Sequence, residues 1–484
     1  MRLTTLLAAV ESETSATAPV GAGASDPEVH RVVHDSRKTA PGDLFCCVPG
    51  LVHDGHTHAG LAVEAGAVAV LAERPLDLDV PVVLVDSVRR RMPHIAAAVS
   101  GHPSRHLDVV GVTGTNGKTS VVHLLAGVLG QVGRVPGSIG TLTGYLTTPE
   151  APDLQRRLAA WLDEGRDSVV MEVSSHALDQ QRVDGTRFFA SAFTNFSRDH
   201  LDHHGTMEAY AAAKARLFTR EFTDRAVVNV DDVAGRRQAE MATAAGLDVI
   251  EVSTVDMPAE VGIQRVRFTW RGLDVEVPVG GRFTVANAVM AAELAMMLGV
   301  QPTAVVAGLS AVAPVPGRFE PVDVGGGVVV VVDYAHTPDA MVQVLATARQ
   351  MVDGARVIVV FGCGGDRDRG KRPLMGAAAR AGADLVVVTS DNPRGEPPEG
   401  VIEDILSGMD RAGVHVEVDR RAAIGAALDL AEPGDLIVIA GRGHETVQQI
   451  GGRRLPFDDR IVVVEEARRR PASDGEAPSG GVGA

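Results

Sequence analysis

The sequence predicts an α/β protein of three successive units, with parallel sheets at the heart of the second and third. Three observations carry that prediction. The stretch Val109 to Leu129, VVGVTGTNGKTSVVHLLAGVL, reads as an apolar strand, a glycine-rich turn, and then Lys118-Thr119 opening a segment with apolar residues at helical spacing. Apolar strands alternate with helical segments after it, and the pattern restarts near Gly317. A shorter α/β unit precedes residue 105. The expected boundaries are 1–105, 106–316 and 317–470, followed by a disordered tail over 471–484.

Met1–Val10 carries one Arg and a short apolar run before Glu11 and Glu13, which is not the build of a signal peptide. Residues 12 to 29 are small, polar and broken by Gly and Pro, so they read as a loop. Val32-Val33, a turn at Pro41-Gly42-Asp43 and a strand over Leu44–Val48 come next. A helix over Ala59–Ala65 and short strands over Ala67–Leu71 and Val80–Val85 complete the first unit. The central unit should hold strands at Val109–Val112, Ser168–Val173, Ala190–Thr194 and Ala226–Val230. Helices are expected over 118–129, 153–163, 207–218 and 284–298, the first stopped by Gly130. In the last unit Val328–Val332, Arg356–Phe361, Asp384–Thr389, His415–Val418 and Leu436–Ala440 predict a Rossmann-like, doubly wound sheet.

The chain has 484 residues, 45% of them hydrophobic, enough for several cores. Its net charge of −16 argues against a nucleic-acid partner, so an anionic substrate must be met by local Arg and Lys. Cys46, Cys47 and Cys363 are too few for a disulfide framework and lack metal spacing. No apolar run is long enough to span a bilayer. The expectation is a cytoplasmic monomer that works on small molecules without membrane contact.

The glycine turn is a phosphate cradle. Backbone N–H groups of Gly114, Thr115, Asn116, Gly117 and Ser120 would face the anion at a helix N-terminus; Lys118 adds a charge and the Thr119 hydroxyl can reach Mg²⁺. The spacing differs by one residue from G-x-x-x-x-G-K-[ST], which needs glycine at Val112. Glu172 ends a buried strand, where a carboxylate can approach Mg²⁺ or simply cap a turn. FTNFSRDHLDHHGTMEAY crowds Asn195, Asp199, His200, Asp202, His203 and His204 into a loop. Zinc is one reading of its three histidines, but Mg²⁺ with oxygen ligands and one His suits a site beside ATP better. Lys214 reads locally as a solvated helix lysine, and Asn287 as either a helix-surface amide or an adenine contact. In the last unit, motifs follow successive strands: DYAHTPDA, FGCGGDRDRGKRP, TSDNPRGE and AGRGHE. There Arg367 and Arg394 suit a carboxylate, and Glu445 suits an ammonium group.

Together GVTGTNGKT, EVSSHAL, FTNFSRDHLDHHG, AAAKARLF, GRFTVAN, PGRFE, DYAHTPDA, GCGGDRDRGKRP, SDNPR and GRGHE resemble, in order, the motifs of the Mur ligases. The resemblance runs from about residue 30 to 465. It implies an ATP-dependent acid–amino-acid ligase of peptidoglycan assembly using ATP and Mg²⁺. It also implies a uridine-binding first domain, an ATPase-like middle domain and an amino-acid-binding last domain. Lys118, Glu172, His200 and Lys214 resemble catalytic residues. Thr119, Glu172, His200 and a carbamylated Lys214 resemble the metal set. Thr115, Asn116, Asn287, Arg318, Asp333 and His336 resemble ATP contacts. Ser36, residues 51 to 53, Thr147, Thr148, Ser174, Gln180 and Arg182 resemble contacts to UDP-MurNAc-L-Ala-D-Glu. Arg367, Asp391, Asn392, Pro393, Arg394, Gly441 and Glu445 resemble an amino-acid pocket in which DNPR accompanies meso-diaminopimelate.

The competing expectations are a lysine-adding relative, another ligase of this type such as a folylpolyglutamate synthase, or an ATP-binding scaffold without catalysis. DNPR and the DSRK unit speak against the first two, and intact Lys118, Glu172, His200 and Lys214 against the third. Because the phosphate loop and the amine pocket fall on separate units, the last unit is expected to swing in after ATP binds.

Overall fold

The computed structural model describes residues 1–11, 26–50, 53–144 and 146–470. Residues 12–25 of the loop expected over 12–29, residues 51 and 52 of the contacts expected over 51–53, and the tail over 471–484 lie outside the described residues.

At the N-terminus, Leu3, Leu6 and Leu7 bury one face of the helix Leu3–Glu11, which packs on the helix Val88–Val99. Beside them run four parallel strands in chain order, Arg31–Val33, Asp43–Cys46, Ala69–Ala72 and Val82–Leu84. Cys46 and Cys47 are buried here as free thiols.

The central sheet has six parallel strands in the order Asp248–Val252, Arg225–Asn229, Ala190–Phe193, Asp108–Thr113, Ser168–Glu172 and Gly137–Ile139. Its four inner strands fall where the apolar runs predict them. Both edge strands went unpredicted: Gly137–Ile139 is three residues long, and the apolar run of Asp248–Val252 is interrupted by Glu251. The helix Lys118–Gln131 runs through Gly130, and Gly133 takes the positive φ that follows its end. It packs on the helices Phe283–Met297 and Pro302–Ala311. A small antiparallel sheet, Ala259–Val261, Val266–Trp270 and Leu273–Val277, buries Val266, Phe268 and Trp270 against the same core. The expected helix over 207–218 is α-helical only over Met207–Ala215 and tightens into a 3₁₀ turn at Arg216–Phe218.

The last sheet runs Glu320–Asp323, Val329–Asp333, Leu436–Ala440, Val357–Phe361, Leu385–Val388 and Val414–Val416. It is parallel except for Glu320–Asp323, an antiparallel edge strand that had not been predicted. Largely buried strands such as VVVVD and VIVVF match helices on both faces. A hairpin, Val447–Ile450 with Arg453–Pro456, stands beside it and is joined to Arg394 through a bridge at Ile450. No helix among the described residues is long and apolar enough to cross a membrane.

Candidate active site

The strand Asp108–Thr113 lies inside the central sheet and delivers the glycine turn to its C-terminal edge. Gly111 sits in the strand, where a Cβ would come within 2.7 Å of the Phe188 ring. Gly114 has φ 146°, and a Cβ there would collide with Thr194 Oγ1; Gly117 has φ 85° and would meet Asn287 Oδ1 at 2.5 Å. Gly111 thus answers to strand packing, and the turn itself needs only Gly114 and Gly117, which accounts for the displaced motif. Lys118 Nζ donates to the carbonyls of Gly114 and Thr115 at 3.0 and 2.8 Å. Burial holds its pKa below the usual lysine value, with Glu172 pulling the other way.

Next to the turn lies a cavity of about 510 Å³, lined by Asn116, Gly117, Ser120 and Asn287 from one side and Arg318, Asp333 and the helix Pro338–Met351 from the other. Asp333 is buried, which raises its pKa, and accepts the N–H groups of Phe319 and Ala335. Arg318 stacks on Tyr334 at 4.3 Å and donates to Thr119 Oγ1 at 3.1 Å, spanning the two sheets. His336 does not line this cavity. It stands at the junction of the next two, its Nδ1 2.8 Å from the Tyr334 carbonyl.

A narrow cavity of about 130 Å³ joins the phosphate turn to Glu172, His200 and Lys214. Thr119 Oγ1 donates to Glu172 Oε1 at 3.0 Å, and Thr141 N–H to the same oxygen at 2.8 Å. His200 is no plain loop residue: its left-handed backbone, φ 55°, starts the one-turn helix Leu201–His204. Burial holds its imidazole well below the usual histidine pKa, so a neutral lone pair is present. Lys214 is not solvated, and its local reading is wrong. It is fully buried, donates to the Gly114 carbonyl at 2.7 Å, and lies 4.6 Å from the centre of the Tyr210 ring. No described carboxylate is within ion-pair distance. Burial, then Lys118, hold its pKa well below that of an ordinary lysine. A hydroxyl, a carboxylate and a neutral imidazole around one cavity fit Mg²⁺ that keeps some of its waters.

The third cavity, about 390 Å³, draws on both sheets. Thr147, Thr148, Ser174, Arg182 and His200 line it from the centre, and Arg367, Asp391, Asn392, Arg394, Gly441 and Glu445 from the last sheet. Asn392 is oriented from behind: the fully buried Arg442 donates to its Oδ1 at 3.0 Å, and its Nδ2 donates to Glu445 Oε2 at 2.8 Å. Burial, then Asp391, raise the Glu445 pKa. Arg394 has φ 52°; its Nη1 donates to the Gly365 carbonyl at 2.7 Å, and no bond to its Nη2 is present among the described residues. Cys363 also lines this cavity, but burial pushes its thiol up to about 12, so it is no thiolate.

Four expected residues lie apart. Pro393, Gln180 and His53 do not line the cavity; Gln180 instead accepts from Arg182 at 2.6 Å. Ser36 starts the 3₁₀ turn Ser36–Lys38 after the first strand, beside a separate hollow of about 200 Å³ lined by His34, Asp35 and Lys38. Sequence reasoning missed Lys371, whose Nζ reaches the buried Asp199 at 3.1 Å, with His336 Nε2 on the other oxygen at 3.4 Å. Burial alone would raise Asp199; Lys371 and His336 hold it well below the usual carboxylate range. Arg198 and Asp368 make a second pair across the sheets, 3.2 Å apart.

Comparison with known proteins points to one family. Residues 28–105 match the model "Mur ligase family, catalytic domain", 112–295 the "Mur ligase middle domain" and 317–443 the "Mur ligase, glutamate ligase domain". A UDP-N-acetylmuramoyl-L-alanyl-D-glutamate--2,6-diaminopimelate ligase of Syntrophomonas wolfei is 42% identical over 470 residues, covering 92% of this chain and 96% of that protein. The protein of the same name from Alkalilimnicola ehrlichii is 44% identical over 477 residues, covering 91% and 95%. A solved structure of a ligase so named superposes with a TM-score of 0.65 at 35% identity, covering 93% of this chain and 97% of its own. The chain belongs to the Mur ligase family.

Proposed function

We propose that this chain is the ATP-dependent ligase that joins meso-diaminopimelate to the D-Glu γ-carboxylate of UDP-MurNAc-L-Ala-D-Glu in peptidoglycan synthesis. One observation carries the reading: a single cavity is lined by Thr147, Thr148, Ser174 and Arg182 from one sheet and by Arg367, Arg394 and Glu445 from the other. The two reactants of an amide bond therefore meet there, next to the phosphate turn. Relatives of the same name and nearly the same length support the choice of reactants. The three domains are 1–105, 106–316 and 317–470, and the chain acts as a cytoplasmic monomer.

ATP lies in the large cavity, with Asn287 at the base and the Gly114–Ser120 turn around its phosphates. The γ-carboxylate attacks the γ-phosphorus, and the bond to the β,γ-bridging oxygen breaks, giving an acyl phosphate and ADP. The amine of diaminopimelate then attacks the acyl carbon, loses a proton and expels inorganic phosphate. Lys118 and the turn's N–H groups hold the transferring phosphoryl group in line, replacing the carbonyl contacts that Lys118 makes here. Arg318 and His336 close over it from the last domain. Mg²⁺, when bound, neutralises phosphate charge, and Thr119, Glu172 and His200 would hold it. Lys214, buried as an amine without a carboxylate, is ready to take up CO₂ and become an anion on that side. Glu445 receives the ammonium group of diaminopimelate, and Arg394 and Arg367 its distal carboxylate.

Phosphate release tests the assignment. It is expected only with ATP, Mg²⁺, UDP-MurNAc-L-Ala-D-Glu and meso-diaminopimelate together. Turnover with L-lysine alone would replace the amine while keeping the ligase; no release with either amine would sink the assignment.

A further inference from the structure

Four histidines gather beside the active cavity, and they divide into two pairs. His176 and His200 line the cavity. His203 and His204 end the short helix Leu201–His204 and meet the helix Ser175–Asp179 instead: His203 Nε2 is 2.8 Å from Asp179 Oδ2, and His204 Nε2 is 3.0 Å from Ser175 Oγ. The ligand atoms of Asp179, His203 and His204 all lie within 4.8 Å of one another.

This arrangement is more than a hydrogen bond with a spare ring beside it. Two imidazoles held by one ion at ~2.1 Å in tetrahedral geometry place their ring centres roughly 5 Å apart. The centres of His203 and His204 are 4.8 Å apart and their planes are nearly perpendicular, at 88°. A carboxylate on one imidazole completes a two-nitrogen, one-oxygen set, and the Ser175 hydroxyl or a water supplies a fourth position. Burial and the neighbouring His203 lower the His204 pKa from the usual histidine value. Asp179 is half exposed, so an ion has an entry path.

We propose that Asp179, His203 and His204 bind one divalent cation of the zinc class, at a site separate from the magnesium set of Thr119, Glu172 and His200. Two imidazoles select zinc, cobalt or nickel over Mg²⁺, which prefers oxygen throughout. On binding, the proton between His203 Nε2 and Asp179 moves to His203 Nδ1, and the hydrogen bond between His204 Nε2 and Ser175 Oγ gives way to the ion, so that no proton is lost from the site. The ion sits against His176, whose ring centre is 4.3 Å from that of His203 and which faces the substrate cavity. Its charge is therefore felt where the anionic substrate binds.

Cobalt(II) titrated into the full chain, with excess Mg²⁺ and a non-hydrolysable ATP analogue present, tests the site through the visible absorption of the bound ion. One cobalt per chain is expected, retained in Glu172→Gln. Affinity should fall about 100-fold or more in both His203→Gln and Asp179→Asn, since outer-shell changes alone cost 10–100-fold. Asp179 is a half-exposed side chain, so Asp179→Asn keeps the test clear of folding, and its melting without cobalt should match the parent. Cobalt binding that survives both substitutions, that vanishes in Glu172→Gln, or that does not occur at all would overturn the proposal.

Discussion

The two halves of the active cavity are built by different means. On the central sheet the phosphate turn is shaped by backbone: Gly114 and Gly117 adopt positive φ, and the helix begins directly behind them. Lys118 bonds locally, to Gly114 and Thr115, and Asn195 braces the turn by accepting the Asn116 N–H. On the last sheet the pocket is shaped by buried ions that reach across the sequence. Arg442 holds Asn392 from 50 positions away, Arg420 pairs with Asp459 where both are fully buried, and Arg372 binds Glu396. Phosphate is met by a surface that any nucleotide chemistry can use. The amino acid is met by side chains whose orientation depends on partners behind them, and that is where selectivity resides.

The sharpest way to break the central half is Lys118→Met, which removes one charge from the transferring phosphoryl group. Phosphate release should fall about 10³-fold, with the diaminopimelate KM little changed. Gly114→Val should do as much through the backbone, since its side chain collides with Thr194. The last half breaks differently. Arg442→Met leaves Asn392 Oδ1 with one donor fewer and Glu445 poorly oriented. The KM for the amine should rise about 10- to 100-fold while that for ATP stays put, the cost of a hydrogen bond to a charged group.

The smallest effect compares the halves through pH. Burial holds both His176, on the central side, and His444, against Tyr334 in the last domain, down to about 4. Each binds its proton more readily when unfolded, at an ordinary pKa of about 6.5. Their stabilising contribution is complete above that value and is lost as pH falls from about 6.5 towards 4, on the order of 1–2 kcal/mol for each. Thermal melting at pH 7.5 and pH 5 should show the loss, and His176→Gln or His444→Gln should each remove a share of it. An unchanged pH slope in both variants would contradict the burial argument.

Much of the central half was legible in the sequence, because strand, glycine turn, Lys-Thr and helix are contiguous and each obeys its own local rule. The same holds for the strand ends of the last sheet, where DYAHTPDA, DNPR and GRGHE sit. What escaped was contact between distant segments. Nothing local marks Lys371 as the partner of Asp199, 172 positions away, and only burial distinguishes Lys214 from a solvated helix lysine. The small sheet at Ala259–Val277 also went unpredicted, although the alternation in VRFTW and the Arg271-Gly272 turn carry its signal, whereas edge strands of three or four residues such as Gly137–Ile139 carry too few residues to show a period. His203 and His204 stood in view as part of a histidine run, and only the fold separates them from His200.

The most direct test of the account measures kcat/KM for meso-diaminopimelate and for L-lysine, in the parent and in Arg394→Lys. The two amines differ by one carboxylate, and Arg394 offers it the unengaged side of a planar fork. The parent should prefer diaminopimelate by at least about 100-fold, and the substitution should collapse most of that preference while leaving the ATP KM unchanged. A parent that uses both amines equally, or a preference that survives Arg394→Lys, would contradict the claim that the last sheet's side chains set the choice of amino acid.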